Sequence, residues 1–393
     1  MARVVCLVAD GFGVGALPDA SLYGDDGANT LAHVARAVGG LSVPNLGRLG
    51  IGHLTPTEGI PATSLPEGIV GRLGERSAGK DTTTGHWELA GLVTRDPFTL
   101  FPGGFPASLV DSFVREAGLP GVLGNCAASG TEILERLGEE HLATGKPILY
   151  TSGDSVFQIA AHEEKFGLER LYRACETARK LTLPLRIGRV IARPFVGARP
   201  GEFRRTEHRR DYALSPARNS LDVLCAAGVD VLGVGKIEDI FDHRGLTRSR
   251  HTGNNPDSLL ATLDYLRQSR GKPAFVFTNL VDFDMVYGHR RDPTGYARAL
   301  QELDAFLPSL LGELVPGDLF LLTSDHGCDP TFRGTDHTRE YVPLVGYGPG
   351  LSAAKIGDRT SFADVAATVA AVLGVSLREL PDVGASVLPA RGR

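Results

Sequence analysis

Two short clusters in the last third of the chain hold the residue types of a metal site: Thr323-Ser324-Asp325-His326-Gly327 and, soon after, Gly334-Thr335-Asp336-His337-Thr338. A carboxylate beside an imidazole, with a second imidazole at His337 across a glycine-containing connection, offers mixed oxygen and nitrogen ligands. Such a set suits a borderline divalent ion such as manganese or zinc. Alone, the triplet Asp325-His326-Gly327 reads equally well as a capped strand end with a surface pair. Recurrence of the pattern decides between the two. Residues 274–281 are apolar and β-rich and deliver Asp282, Asp284 and then His289, while residues 4–9 end on Asp10. Residues 319–322, just before Asp325, form a third such run. Buried parallel strands emerge side by side at one sheet edge, the edge where open α/β sheets keep their ligands. Carboxylates from the three runs would converge there, and they repel unless protonated or neutralised by cations. Metal binding is the economical explanation.

A hydroxyl nucleophile is on offer in Gly79-Lys80-Asp81-Thr82-Thr83-Thr84-Gly85-His86-Trp87-Glu88. Consecutive threonines are poor helix interior and read as an exposed loop. Metals nearby would lower the pKa of such a hydroxyl and neutralise an incoming phosphoryl group. The plain alternative is a threonine-rich turn whose hydroxyls bond to backbone. The run does not itself say which threonine would act.

The elements that must position these residues follow from size and pattern. A chain of 393 residues with 42% hydrophobic residues predicts two domains. Its net charge of -5 argues against a globally basic surface for nucleic acid or anionic lipid. No apolar stretch approaches bilayer length, and the run at 4–9 is too short for a signal segment, so it belongs to the fold. The cysteines, Cys6, Cys126, Cys175, Cys225 and Cys328, are scattered and form no C-x-x-C pair, as expected of a reduced cytoplasmic protein. Cys328 reads as a small filler beside the site rather than a ligand.

Gly11, Gly13 and Gly15 after Asp10 mimic a dinucleotide fingerprint, but Ala16-Leu17-Pro18 follows instead of a helix start, so close backbone approach around Asp10 is the better use. Helical spacing predicts helices at 29–37, carrying a structural His33, and at 43–50, 168–181, 219–227, 258–268, 294–311 and 362–373. Further strands are expected at 147–151, 186–192, 229–234 and 341–347. Lys236 follows one of these strand ends. The stretch 96–106 shifts to Pro, Gly and Phe, which marks a boundary. The reading is α/β: a core of 1–97 and 212–393 with a largely parallel sheet flanked by helices, and an inserted smaller α/β domain at 98–211. The insertion is rich in arginine at 193, 199, 204, 205, 209 and 210; such residues can hold phosphate, although Arg209 and Arg210 read as solvated surface.

With Asp10, GKDTTTGHWE, NLVDFDMVYGHRRD and TSDHGCDP…GTDHTREYVP assembled, plus TSGDSVFQIAAHEE and GRVIARPF in the insertion, the chain resembles the phosphopentomutases of the alkaline phosphatase superfamily over nearly its whole length. The resemblance implies an alkaline-phosphatase-like core and a mobile cap formed by the insertion. It implies that Thr82 is the phosphorylated nucleophile, that Asp10, Asp325 and His326 hold one manganese ion, and that Asp284, His289 and His337 hold another, with Thr82 or its phosphate bridging. Asp154, Arg189, Arg193 and Arg205 become the expected substrate contacts, assisted by Lys236. The implied reaction interconverts the 1- and 5-phosphates of ribose and deoxyribose, primed by a sugar bisphosphate such as ribose 1,5-bisphosphate or glucose 1,6-bisphosphate. No nucleic acid, membrane or obligate protein partner is expected. A phosphatase or phosphoglycerate mutase of the same superfamily, and a non-catalytic sugar-phosphate binder, are the rival readings; the insertion's sequence and the intact ligand set argue against them.

Overall fold

The computed structural model describes residues 1–152 and 155–388. The chain divides into two compact units, Met1–Asp96 with Pro216–Arg393, and Pro97–Ser215.

The first unit is built on an eight-stranded sheet. Across it run Arg248–Arg250, Asp230–Val234, Ala274–Leu280, Arg3–Ala9, Leu319–Thr323, Val342–Tyr347, Ile69–Leu73 and Ala354–Arg359. The strands from Arg248–Arg250 to Leu319–Thr323 are mutually parallel. Val342–Tyr347 runs against both of its neighbours, and Ala354–Arg359 is parallel to Ile69–Leu73. Arg3–Ala9, Ala274–Leu280 and Leu319–Thr323 are buried along their whole length, which is why they read as continuous apolar runs without alternation. Val5, Leu7 and Ala9 point into a core shared with Thr30–Ala37, Asn255–Gln268 and Pro293–Leu311. Caps start these helices where the sequence offers them. The Asn29 side chain accepts from the Ala32 amide, and the Asn254 side chain from the Asp257 amide.

The edge strands Arg248–Arg250 and Ala354–Arg359, and Ile69–Leu73 beside the latter, escape the sequence reading. Ala354–Arg359 is half exposed and carries Lys355, Asp358 and Arg359, so it lacks an apolar signature. Among the described residues no helix is long and apolar enough to cross a membrane.

The second unit has its own sheet, ordered Leu123–Ala127, Ile148–Thr151, Val156–His162, Arg189–Val196 and Arg204–Arg205, with Arg210–Ala213 also pairing to Arg189–Val196. Helices Ala107–Glu116, Gly130–Thr144 and Leu168–Thr182 accompany it. Phe105, Phe113, Phe157, Tyr172 and Val190 pack into one of its cores. The strand expected at 186–192 begins later, because Arg186 has a φ of 51° and turns the chain. Arg193 therefore lies within the strand rather than beyond it. The unit extends to Ser215 because Arg210–Ala213 pairs with Arg189–Val196, a long-range partnership that composition does not reveal.

At the edge of the core sheet opposite Asp10, Arg3 is 1% exposed. Its backbone amide donates to Asp318 Oδ1 at 2.8 Å and its guanidinium to Asp318 Oδ2 at 2.5 and 3.1 Å, to the Leu266 carbonyl at 2.6 Å and to the Glu313 carbonyl at 2.8 Å. Removing one member of a buried ion pair leaves an uncompensated charge. Asp318→Ala is expected to lower stability by about 3–5 kcal/mol in urea denaturation, and an unchanged midpoint would show that the pair carries no such role.

Candidate metal centre

The strands Ala274–Leu280, Arg3–Ala9 and Leu319–Thr323 are neighbours in the sheet, so their carboxyl ends lie side by side. Asp10 and Asp325 leave their strands close to these ends and are 0% exposed; Asp284, one turn beyond, is 4% exposed. His289 follows a π-helix, Phe283–Gly288, and His337 returns on the loop whose Thr338 bridges back to Gly327. The structure brings these residues together. His326 Nε2 lies 3.3 Å from Asp10 Oδ1 and 3.4 Å from Asp325 Oδ2. His337 Nε2 lies 3.2 Å from Asp284 Oδ1, His289 Nε2 lies 3.4 Å from Asp284 Oδ2, and the two imidazole nitrogens are 3.1 Å apart. Ligand atoms of Asp10, Asp325 and His326 lie within 4.8 Å of one another, as do those of Asp284, His326 and His337.

The threonines do not form the exposed loop expected of them. Thr82 opens the helix Thr82–Leu89, with Asp81 as its cap, accepting from the Thr83 amide at 3.0 Å and the Thr84 amide at 3.1 Å. That cap is the local signal that outweighs the poor helix propensity of threonine. Thr83 and Thr84 are buried, and Thr82 Oγ1 lies 3.2 Å from His326 Nε2. Gly85 makes this approach possible: a Cβ there would sit 2.0 Å from the Asp325 carbonyl oxygen, so any side chain would push the helix away.

The donor chemistry fits a cation. His326, His337 and His289 direct Nδ1 at the carbonyls of Gly327, Lys80 and Thr335, at 3.1, 2.8 and 2.6 Å. A carbonyl only accepts, so Nδ1 carries the proton and Nε2 turns a lone pair to the centre. The lone pairs of His289 and His337 at 3.1 Å call for a proton or a metal near them. Asp10 Oδ1, Asp284 Oδ1 and Asp325 Oδ2 are buried and accept no hydrogen bond among the described residues. Burial alone would raise Asp284 and Asp325; His337 and His289 outweigh it for the first, His326 and His86 for the second, and both carboxyls fall below the ordinary range. Burial opposes a charged His326, yet Asp325 and Asp10 lift it well above the usual imidazole value. In the protein alone the carboxylates thus hold positive charge on the imidazole beside them, a place that a cation can take.

Sequence reasoning missed three residues that shape the site. His86 is fully buried, holds Thr82 O with Nδ1 at 2.9 Å and lies 3.0 Å from Asp325 Oδ2. Its place four residues after Thr82, on the same helix face, was a readable signal. Asn279 donates to Asp10 Oδ2 at 2.9 Å. Arg339 reaches the carbonyls of Ser77 and Gly79 at 2.9 and 2.5 Å, and Glu75 and Asp19 at 2.7 and 3.0 Å, which fixes the segment leading to Thr82. His33 is structural in the sense expected, bonded to Asp329 at 2.5 Å.

Of the expected substrate contacts, Lys236 belongs to the first unit, its Nζ 3.9 Å from Asp10 Oδ2. Arg189, Arg193 and Arg205 belong to the second. Arg193 Nε donates to Gln158 at 3.1 Å; burial, then Arg209, pulls its guanidinium down to about 10, a penalty that an anion would relieve. Arg189 lies 3.6 Å from Asp211. The Arg205 guanidinium occupies the space above Gly130, where a Cβ would collide with it. Arg209 is exposed and bidentate to Asp211, and Arg210 covers the Tyr172 ring at 3.8 Å. Asp154 lies outside the described residues.

A family model described as the Metalloenzyme superfamily matches residues 2–377. The protein of Anaeromyxobacter sp. (strain K) called phosphopentomutase is 58% identical over 388 residues, covering 98% of both chains. The phosphopentomutase of Symbiobacterium thermophilum is 56% identical over 95% of both chains, and that of Pseudoalteromonas translucida 50% identical over 94% of this chain and 95% of its own. The chain belongs to the phosphopentomutase family within this metalloenzyme superfamily, and it is an enzyme of the isomerase class.

Because the unsatisfied oxygens are buried, a bound divalent cation is expected to stabilise the fold. Manganese added to chelator-treated protein at a hundredfold excess over Kd should contribute about 2.7 kcal/mol per site, read as a rise in Tm. Asp325→Asn should blunt that rise. Equal rises in both proteins would remove Asp325 from the ligand set.

Proposed function

We propose that the protein is a phosphopentomutase that interconverts the 1- and 5-phosphates of ribose and deoxyribose through a phosphorylated Thr82. The observation that carries the reading is Thr82 at the head of a capped helix, its hydroxyl 3.2 Å from His326 at the edge of a buried carboxylate and imidazole cluster. High identity to proteins called phosphopentomutase supplies the pentose phosphate.

In this reading Asp10, Asp325 and His326 would hold one ion and Asp284, His289 and His337 a second, both manganese. The ions would neutralise phosphoryl oxygens and lower the pKa of the Thr82 hydroxyl. The helix amino terminus adds positive potential at the same point. Lys236, near Asp10, would meet a phosphoryl oxygen.

Phosphorylated Thr82 gives its phosphoryl group to the free hydroxyl of the bound monophosphate, leaving a bisphosphate and an unmodified threonine. The bisphosphate turns round and returns its other phosphoryl group to Thr82. A sugar bisphosphate, ribose 1,5-bisphosphate or glucose 1,6-bisphosphate, primes the enzyme by the same transfer. Residues 97–215 would serve as a cap, with Arg189, Arg193 and Arg205 gripping the sugar phosphate by charge-assisted hydrogen bonds. Excluding water matters, because hydrolysis of phosphothreonine would make the enzyme a phosphatase. A reducing compartment, the cytoplasm, suits the scattered unpaired cysteines.

Phosphorus NMR of ribose 1-phosphate with enzyme, manganese and a trace of sugar bisphosphate should show ribose 5-phosphate. Thr82→Ala should slow this by about 10⁴-fold or more while metal content holds. Inorganic phosphate as the product would replace the mutase with a phosphatase, and full activity in Thr82→Ala would displace the nucleophile. Arg205→Ala should lower kcat/KM by about 10- to 100-fold, the worth of a charge-assisted hydrogen bond, with bound manganese unchanged. Loss of manganese in that variant would count against a role in substrate binding.

A further inference from the structure

Cys328 sits beside the centre in a manner that a filler does not require. The residue is 1% exposed, and its ligand atom lies with those of Asp284 and His289 inside a 4.8 Å group. Space for it is made by glycine on two sides. A Cβ at Gly288 would lie 2.5 Å from Cys328 Sγ, and one at Gly11, whose φ is +76°, would lie 2.7 Å from Cys328 Cβ. The carboxylate of this group is short of partners: Asp284 is 4% exposed, and its Oδ1 accepts no hydrogen bond among the described residues.

Ligand softness then separates the ions that can use this set. Carboxylate and imidazole suit manganese, whereas a thiolate favours soft ions such as cadmium and zinc. We infer that Cys328, Asp284 and His289 form a second coordination mode at the edge of the centre, one that captures thiophilic dications. On capture the Sγ–H bond breaks, an Sγ–metal bond forms, and the proton leaves to solvent; nothing is oxidised or reduced. The inference rests on the metal-centre reading of Asp284 and His289 and adds to it a ligand that the manganese mode leaves unused. Its functional consequence is a centre that is sensitive to cadmium or excess zinc, since an ion held by Cys328 draws Asp284 and His289 away from His337.

The test is a cadmium titration of chelator-treated full-length protein, followed by the ultraviolet thiolate-to-cadmium charge-transfer band and by calorimetry. The wild type should show the band. In Cys328→Ser the band should vanish and cadmium affinity fall by about tenfold or more, while manganese affinity changes by less than about twofold. Cadmium NMR of the unaltered protein, where a sulfur ligand moves the resonance downfield, gives the same answer without depending on how the variant folds. Cadmium bound without the band or the downfield shift overturns the cysteine mode and leaves the metal centre standing. An undiminished band in Cys328→Ser assigns it to another cysteine and overturns the inference. Failure to bind either cadmium or manganese overturns both readings.

Discussion

Carboxylates meeting inside the protein are the constraint from which the rest of the core unit follows. Asp10, Asp284 and Asp325 converge where parallel strands end, and in an environment of effective dielectric near 20 each like-charged pair at 4 Å costs about 4 kcal/mol. Every group around them offsets that repulsion. Gly11 donates its amide to Asp325 Oδ1 at 3.1 Å, Asn279 donates to Asp10, Lys236 stands near Asp10, and the imidazoles turn toward the centre. These contributions do not reach the last oxygens, which remain without hydrogen-bond partners among the described residues. A fold that keeps such oxygens dry does so for a cation.

Bringing the Thr82 hydroxyl to that centre imposes a second constraint, one of distance rather than charge. Thr82 can stand beside His326 only if its helix lies almost against the backbone of Asp325, and Gly85 is the point of contact. The approach is held from both ends. Asp81 caps the helix, while Glu88 accepts from the amides of Ser77 and Phe362 at 2.6 and 3.0 Å and from the Ser361 hydroxyl at 2.7 Å. Arg339 binds the incoming segment by its carbonyls, so the strand, the helix and the loop of His337 are tied to one another.

What could be read from the sequence was local. Asp10, Asp284 and Asp325 were legible because each follows a buried β-rich run, and continuous apolar strands announce a parallel sheet. The family resemblance then assigned roles that spacing could not. The threonines read as a loop by helix propensity alone, and the Asp81 cap beside them makes them the start of a helix. Asn279 and Arg339 were invisible because their partners are Asp10 and Ser77, far away in the chain, and nothing local marks an asparagine inside a strand as a partner for a carboxylate. The strand at the end of the second unit is hidden for the same reason: Arg210–Ala213 looks like charged surface until it pairs with Arg189–Val196.

The two ends of the centre differ in kind. At one, Asp10, Asp325 and His326 are at most 1% exposed and present two carboxylates with one imidazole. At the other, Asp284 is joined by two imidazoles with a thiol nearby, and the His289 side chain is 36% exposed. An ion at the first end would be held by charge in a dry pocket, where dehydration must precede entry and rehydration must precede loss. An ion at the second end would be held chiefly by nitrogen, with an open side toward solvent. Exchange would therefore begin at His289 and His337, and an ion bound there would depend more on what the surroundings supply than one bound beside Asp10.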